Sequence, residues 1–413
     1  MKNETVRAVN RLTTRWTAQA CAQDSGTVFA AAGVWPLLAL LADGADGPAR
    51  AELEEALGIP AEDAGAAARE FLAALAEVRD LQTATGLWTA ADLPLDPLWS
   101  EKLPTDARGT LAGAPEADGK TLDAWAAERT GGLIEHVPVS WPEETLLVLV
   151  SALALTVRWA DPFKEAPRPV AAPTGPWAGR PLRMLSRTTR SLDGVRVAPG
   201  TTGPVTLLEV AGTGDLDVHL LLGEPAATAR EVLETGTAAV TGAAPSLGAD
   251  VLPEGRPGPG LTVRTIDVQD PRDLLSVSTV AFSLLASHDL LDHALLFGLE
   301  RATDAEEGHH FPGISWKPLA IASAQQCAMA RFHATGFEAA AVTAVAARPG
   351  TGPRPVMKHR VRHAEVRFDR PFGFLTVHRP SRLVLAAGWV TEPETMVGVR
   401  RSPVGRPPVR PSR

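Results

Sequence analysis

The stretch FDRPFGFLTVHRPSRLVLAAGWV, from Phe368 to Val390, decides the fold. Two runs within it, FGFLTVH and LVLAAGWV, are rich in apolar and β-branched residues, and the segment RPSR separates them. Such runs on either side of a short polar segment are typical of two β-strands joined by a turn. The pattern therefore predicts a buried antiparallel hairpin late in the chain.

The segments before this hairpin also read mostly as strands. GPVTLLEVAGTGDLDVHLLLG predicts two strands around the turn GTGD. EETLLVLVSALALTV is a continuous apolar run of the length of a fully buried strand. The Pro/Gly-rich stretches PRPVAAPTGPWAGRP and GAAPSLGADVLPEGRPGPG indicate loops.

The first third of the chain reads as helical. AGVWPLLALLADGADGPARAELEEALGI has apolar residues at helical spacing and predicts two helices that break at DGADGP. AGAAAREFLAALAEVRDL predicts a third helix, and KTLDAWAAERTGGLIEHV predicts a fourth that Gly131 and Gly132 close. Helices early in the chain and strands late predict an α+β fold.

The composition is that of an ordinary globular protein with a large core. The chain has 413 residues, of which 45% are hydrophobic and 21% are charged. Its formal net charge of -8 argues against nucleic acid and anionic membranes as partners. Plentiful Gly and Pro without any Tyr indicate a GC-rich genome. Because no signal peptide or membrane span is recognisable, we expect a cytoplasmic location in a bacterium, with non-classical secretion left open. We also expect a monomer.

Motifs that would indicate an enzyme are absent from the sequence. It contains no GxSxG, P-loop, HExxH or CxxC pattern. Cys21 and Cys327 are far apart in the chain and predict two buried free thiols. His309–His310 would be able to bind a metal with Asp304 or Glu307, but a solvated polar loop is the simpler interpretation. We therefore predict no catalytic residue, no metal and no cofactor.

Five motifs, in the right order and at the right spacing, resemble the serpin family between about Ser25 and Pro393. The hairpin matches the C-terminal signature of serpins at Phe368, Pro371, Phe372, Phe374, Gly388 and Val390. LDAWAAERTGGLI and LVSALALTVRWADPF match a helix and a strand of the family at Trp125, Thr130, Gly132, Ile134, Trp159, Pro162 and Phe163. FPGIS at 311–315 resembles the segment before the central strand, and GFEAAAVTAVAA resembles the hinge of the reactive-centre loop.

The resemblance implies one serpin-like domain over residues 1–399. Its helical N-terminal half would surround three β-sheets, and an exposed reactive-centre loop would span about 336–364. Residues 400–413 are rich in Pro and Arg and predict a disordered tail. In an inhibitory serpin, a serine protease cleaves the loop and forms an acyl-enzyme with it. The loop then inserts into the main sheet as an extra strand and distorts the protease.

The predicted hinge consists of Gly336, Phe337, Glu338, Ala339, Ala340, Ala341, Val342 and Thr343. In an inserted strand, alternate residues from Phe337 onward would point into the core. Most of these residues are small, and small side chains enter a packed sheet without a new cavity. Composition alone would equally suit a helix or a linker, and the position within the serpin pattern favours the hinge.

The hinge and the sheet-opening region depart from the pattern of inhibitory serpins. Phe337 stands where inhibitors have Thr or Ser. Its larger side chain would overpack the sheet as the loop inserts, at a cost of about 1–3 kcal/mol, and we expect slow insertion. Ala334 replaces the usual Glu before the hinge. The predicted sheet-opening region is Ala30, Gly33, Ser151 and Gln326, with Trp159 at the breach, the end of the main sheet that opens first. A hydrogen bond between Ser151 and Gln326 is expected. Harmless drift and loss of tuned opening remain alternative explanations of these changes.

The sequence offers several candidate residues for the cleaved bond. The usual loop length of serpins, counted forward from Gly336, places the cleaved bond near Gly350. The same bond, located by counting back from EVRFDRPF, falls at Arg360. Arg360 is favoured and Lys358 comes next, which implies a trypsin-like protease because its pocket offers a carboxylate. Solvating charges on a loop are the alternative interpretation. The predicted function is a serpin-type suicide-substrate inhibitor. The alternative is a non-inhibitory serpin with a binding or biosynthetic-pathway role, or a co-opted enzyme.

Overall fold

The structure is a computed structural model that describes residues 1–22, 25–138, 145–166, 170–171, 175–304, 309–337 and 359–396. The predicted tail, 400–413, lies outside these ranges. None of the helices in the described ranges is long and apolar enough to span a membrane. The cytoplasmic location stays a prediction.

Eight α-helices lie in these ranges. They are α1 (Asn3–Ala20), α2 (Ala31–Ala42), α3 (Gly47–Leu57), α4 (Ala61–Ala76), α5 (Pro97–Lys102), α6 (Pro115–Arg129), α7 (Ala229–Thr241) and α8 (Ala294–Phe297). The helix α1 is amphipathic and buries Val9, Leu12 and Trp16 at helical spacing. Every residue of α2 is buried, because this helix passes through the centre of the core. Asp46 caps the start of α3, and Gly58 ends it in the left-handed region with φ of 69°.

The same ranges contain 22 β-strands. They are β1 (Thr27–Phe29), β2 (Leu81–Ala90), β3 (Arg108–Leu111), β4 (Leu147–Leu155), β5 (Val157–Arg158), β6 (Lys164–Glu165), β7 (Val170–Ala171), β8 (Pro181–Leu182), β9 (Met184–Thr189), β10 (Val195–Ala198), β11 (Val205–Ala211), β12 (Leu216–Leu222), β13 (Leu247–Gly248), β14 (Gly255–Gly258), β15 (Leu261–Val268), β16 (Leu274–Val280), β17 (Phe282–Asp289), β18 (Ser323–Phe332), β19 (Gly336–Phe337), β20 (His359–Arg367), β21 (Phe372–His378) and β22 (Leu383–Val390).

These strands form three large sheets, as the resemblance to serpins implied. The seven-stranded sheet has the order β1-β22-β21-β12-β11-β10-β13. The six-stranded sheet has the order β14-β15-β20-β16-β9-β6, and two-stranded ladders join β19 to β5 and β7 to β8. The five-stranded sheet, which we call the main sheet, has the order β17-β18-β4-β2-β3. The predicted α+β architecture is confirmed.

The hairpin that decided the fold is confirmed as β21 and β22. The two strands pair antiparallel, and nearly all their side chains are buried. A Cβ atom at Gly388 would overlap the ring of Phe374 and the carbonyl oxygen of Thr27. Glycine is therefore required where β22 passes between β1 and β21.

Two predicted loops contain short strands. PRPVAAPTGPWAGRP includes β7 and ends on the first residue of β8, and GAAPSLGADVLPEGRPGPG includes β13 and β14. These strands have two to four residues each. Such ladders need only a few backbone groups at a sheet edge, so they form without the apolar runs that mark longer strands.

Candidate functional site: the hinge and the opening of the main sheet

The two central strands of the main sheet pair in parallel, and each has an antiparallel neighbour on its other side. The strand β18 pairs in parallel with β4, from Ser323 opposite Val148 to Ala328 opposite Leu153. Its other neighbour β17 is antiparallel to it, and β2 is antiparallel to β4. Beyond these pairs, β19 bonds antiparallel to β5, which begins two residues after β4 ends. At Gly336 and Phe337, the last described residues before 338, the chain therefore runs antiparallel to β5.

Phe337, the predicted first inserting residue, already lies inside the core. Its side chain has no exposed surface. Its ring centroid lies 6.4 Å from that of Trp159 and 5.9 Å from that of Phe374. A packed aromatic site therefore holds this ring at the start of the strand, and overpacking on insertion stays a prediction.

Trp159, the predicted breach residue, binds the backbone just before the hinge. Its indole Nε1–H donates to the carbonyl of His333 at 2.8 Å, and its backbone N–H donates to the carbonyl of Thr335 at 3.1 Å. The N–H of His333 donates to the carbonyl of Gly336 at 2.9 Å, which closes a tight turn. A Cβ atom at Gly336 would overlap the carbonyl of Val157, so only glycine allows β19 to approach β5 this closely.

The predicted sheet-opening residues come together under the start of α2. The carboxamide of Gln326 makes two hydrogen bonds with the backbone of Ala30. Its Nε2 donates to the Ala30 carbonyl at 2.6 Å, and the Ala30 N–H donates to its Oε1 at 2.9 Å. Gln326 and Ser151 lie directly opposite each other on β18 and β4. The expected bond between their side chains does not form, because the Gln326 amide is already paired with Ala30.

The Ser151 hydroxyl belongs to a polar row that crosses the main sheet. The row runs across the strands β17, β18, β4 and β2. His288 lies opposite Gln326, Gln326 opposite Ser151, and Ser151 opposite Thr85. Among the described residues, the buried hydroxyls of Ser151 and Thr85 have no hydrogen-bond partner. A Cβ atom at Gly33 would overlap the Ser151 Oγ. The glycine at position 33 is therefore a steric consequence of the serine.

We expect Ser151→Ala to raise the free energy of unfolding by about 1 kcal/mol, because it removes a buried hydroxyl that lacks a partner. Urea denaturation of the intact protein measures this change. Ser283→Ala removes an exposed hydroxyl from β17, the edge strand of the same sheet, and serves as the matched control, with no expected effect. A loss of stability in Ser151→Ala would contradict the prediction, since it would mean that the hydroxyl is hydrogen-bonded.

The candidate residues for the cleaved bond are only partly described. Gly350, Lys358 and the hinge residues 338–343 lie outside the described residues. Arg360 is exposed and is the second residue of β20, where it lies opposite Asp267 of β15. The predicted loop of about 336–364 thus overlaps strands at both ends. Cleavage after Arg360 would require the end of β20 to leave β15.

His310, one residue of the suggested metal site, has a hydrogen-bond partner within the fold. His310 is buried, and its Nε2 lies 3.1 Å from the backbone carbonyl oxygen of Asp304. Glu307 lies outside the described residues.

Sequence reasoning missed a cluster of Glu209, Asp217 and His219 on β11 and β12. One side-chain donor atom from each lies within 4.8 Å of the others. Arg379 donates to both carboxylate oxygens of Asp217, at 2.6 and 2.7 Å. Burial lowers the pKa of His219 to about 4 and raises the pKa of Glu209. Because a guanidinium already neutralises Asp217, the cluster is an ion pair beside a neutral imidazole.

Comparison with known proteins identifies the architecture. Residues 7–168 match the family model described as serpin (serine protease inhibitor). The native state of the thermophilic serpin Tengpin matches with a TM-score of 0.73 at 14% identity, over 95% of both chains. The chain has the serpin fold. The resemblance to the serpin family found in the sequence is thereby confirmed.

Other serpin-fold structures match over a similar extent. Thyroxine-binding globulin in complex with thyroxine matches with a TM-score of 0.70 at 17% identity, over 96% of this chain and 100% of that chain. Uncleaved ovalbumin matches with a TM-score of 0.69 at 16% identity, over 94% and 100%. A search of curated proteins found no match. At these identities the likenesses show the serpin fold and not the activity.

Proposed function

We propose that this serpin-fold protein is a suicide-substrate inhibitor of a trypsin-like serine protease. The parallel pair of β4 and β18, with β19 leading toward it, carries the proposal. A strand that continued from β19 between them would run antiparallel to both. It would replace one parallel ladder with two antiparallel ladders, and antiparallel pairing is slightly more stable per residue. Insertion of the cleaved loop would therefore release free energy.

The size of the side chains supports the same proposal. Phe337 points into the core, so Ala339, Ala341 and Thr343 would follow it on that face of an inserted strand. The neighbouring strand β18 presents small residues to the core at Ala324, Ala328 and Ala330. Small side chains on both strands would let the sheet close again around the new strand.

For the protease, we propose cleavage after a basic residue that precedes β20. Arg348 and Arg354 are both followed by proline, which opposes cleavage. The backbone of Arg360 belongs to the ladder with β15, and a protease needs a free extended segment. Lys358 therefore becomes the favoured residue, with Arg360 and Gly350 as the others to test.

Incubation with a trypsin-like protease followed by a denaturing gel tests the proposal. We expect a band at the summed mass of the two proteins, because the acyl-enzyme survives denaturation. Lys358→Gly should abolish this band, whereas Arg360→Gly should leave it. We also expect loop-cleaved protein to melt at a higher temperature than intact protein. Cleaved fragments without the band, together with an unchanged melting temperature, would refute inhibition by insertion.

A non-inhibitory serpin is the second candidate function. Three departures from the inhibitory pattern favour it: Ala334 in place of Glu, the altered sheet-opening region and the buried Phe337. Each lies in a region that moves when the main sheet of an inhibitor opens. Thyroxine-binding globulin, one of the similar structures, carries a binding role in its name. This candidate includes a binding or biosynthetic-pathway role, or a co-opted enzyme. It predicts cleavage without a covalent complex and without a rise in melting temperature.

A further inference from the structure

We propose that the segment Thr391–Met396, which we call the C-terminal strap, clamps the hinge through Glu394 and His333 and so controls its release. The effect on loop insertion rests on the proposed inhibitory function, whereas the clamp itself does not. The strap is the continuation of β22 beyond the seven-stranded sheet.

The backbone holds the strap firmly in place. The N–H of Glu394 donates to the carbonyl of Ala281 at 2.8 Å, and the N–H of Arg183 donates to the carbonyl of Glu394 at 2.9 Å. Thr395 forms a β-bridge with Leu182. Because it is bonded on two sides, the strap is a fixed support for its side chains.

A chain of charged groups leads from the strap to the hinge. Arg183 donates to both oxygens of Glu165, at 2.9 and 3.1 Å, and to Oε2 of Glu394 at 2.8 Å. Oε1 of Glu394 lies 3.7 Å from Nε2 of His333, whose side chain is only 12% exposed. His333 begins the turn that Trp159 binds and that positions Gly336 and Phe337. The strap and the turn are therefore connected through one carboxylate.

Burial and the nearby charges together lower the pKa of His333. Burial lowers the pKa of the imidazole, and Arg183 and Arg331 act in the same direction. Glu394, the nearest carboxylate, and Glu165 raise it. Loss of the Glu394 charge removes the carboxylate nearest to His333 and one of the two carboxylates that pair with Arg183.

The position of the clamp gives it control over opening. For a strand to enter between β18 and β4, the end of β18 must move away from β5 and Trp159. His333 directly follows β18, so this movement would separate it from Glu394. The contact between the Glu394 carboxylate and the His333 imidazole would be lost in the opened state, and this loss adds to the barrier for opening.

Glu394→Gln tests the clamp in the full-length protein, because it keeps the shape of the side chain and removes its charge. Hydrogen exchange of the backbone amides of Trp159 and His333 is the direct measurement. We expect exchange to accelerate by about two- to fivefold, the range of weak carboxylate contacts. Glu392→Gln is the matched control, because Glu392 lies in the same strap but pairs with Arg180 at 2.6 Å. We expect this control to leave hinge exchange unchanged.

Amides in the centre of β21 separate local release from general destabilisation. Faster exchange confined to the hinge supports the clamp. Unchanged hinge exchange, or an equal acceleration in β21, overturns it. A second arm follows the melting temperature after loop cleavage by trypsin, where Glu394→Gln should reach its final value sooner than wild type. If hinge exchange accelerates but no cleaved protein gains stability, the clamp stands and the proposed inhibitory function fails.

Discussion

Phe337→Ala is expected to lower the free energy of unfolding by about 3–5 kcal/mol, as for other phenylalanines deleted from a packed core. The ring has no exposed surface and contacts Trp159 and Phe374, so its removal leaves a cavity between two sheets. Urea denaturation of the intact protein measures the change. Phe337→Leu is the control, because it keeps most of the volume and should cost less than about 1.5 kcal/mol.

The same position tests how the hinge behaves during trapping. If the bulky ring hinders insertion, Phe337→Thr should form the covalent complex faster than wild type, because it removes the anchor that holds the hinge. An unchanged rate would dismiss the ring as the obstacle. If Phe337→Ala were as stable as wild type, the packed aromatic site around Phe337 would be contradicted.

Acidification from about pH 6.5 to pH 4 is expected to remove about 2–3 kcal/mol of stability through His219. Burial is the main reason that the pKa of His219 falls to about 4 in the folded protein, from an ordinary value of 6.5. In this range the unfolded chain therefore binds a proton that the folded protein does not. The contribution of His219 is complete above pH 6.5 and is lost as the pH falls toward 4.

A glutamine at position 219 isolates this contribution. Unfolding free energies at pH 7, 5.5 and 4 should fall more steeply for wild type than for His219→Gln. Burial raises the pKa of Glu209, which acts in the opposite direction because the folded protein then takes up protons more readily. Glu209 is present in both proteins, so the comparison removes most of its effect. Equal losses of stability in both proteins would contradict the prediction.

Periodic patterns explain which elements were predictable. The helices α2 and α3 and the hairpin of β21 and β22 have dense apolar repeats, and the sequence predicted them. The helix α7 was missed although Thr228 and Glu231 form a capping box at its start. Its buried face includes Gly236 and Thr237 in addition to Val232 and Leu233. A Cβ atom at Gly236 would overlap Leu221, so close packing on β12 replaced the large apolar residues that mark a helix.

The sequence indicated which positions belong to the candidate site, but it did not predict which residues contact one another there. The serpin pattern indicated Ser151 and Gln326, yet the partner of Gln326 is the backbone of Ala30, 296 residues away. Alternation along β12 places Asp217 and His219 on one face, but Glu209 joins them only through the register with β11. Arg379 reaches Asp217 across 162 residues. Such contacts arise from sheet assembly, which local sequence does not encode.

Gly33 and Ser151 constrain each other, so we expect substitutions at these two positions to occur together. A side chain at position 33 would overlap the Ser151 Oγ, but it would lie at an ordinary 3.6 Å from the Ser151 Cβ. An alanine at position 33 should thus be harmful alone and acceptable beside Ser151→Ala. Single-site mutational scans would score Gly33 as intolerant for a reason that lies on a neighbouring strand, and lineages should exchange these two residues together.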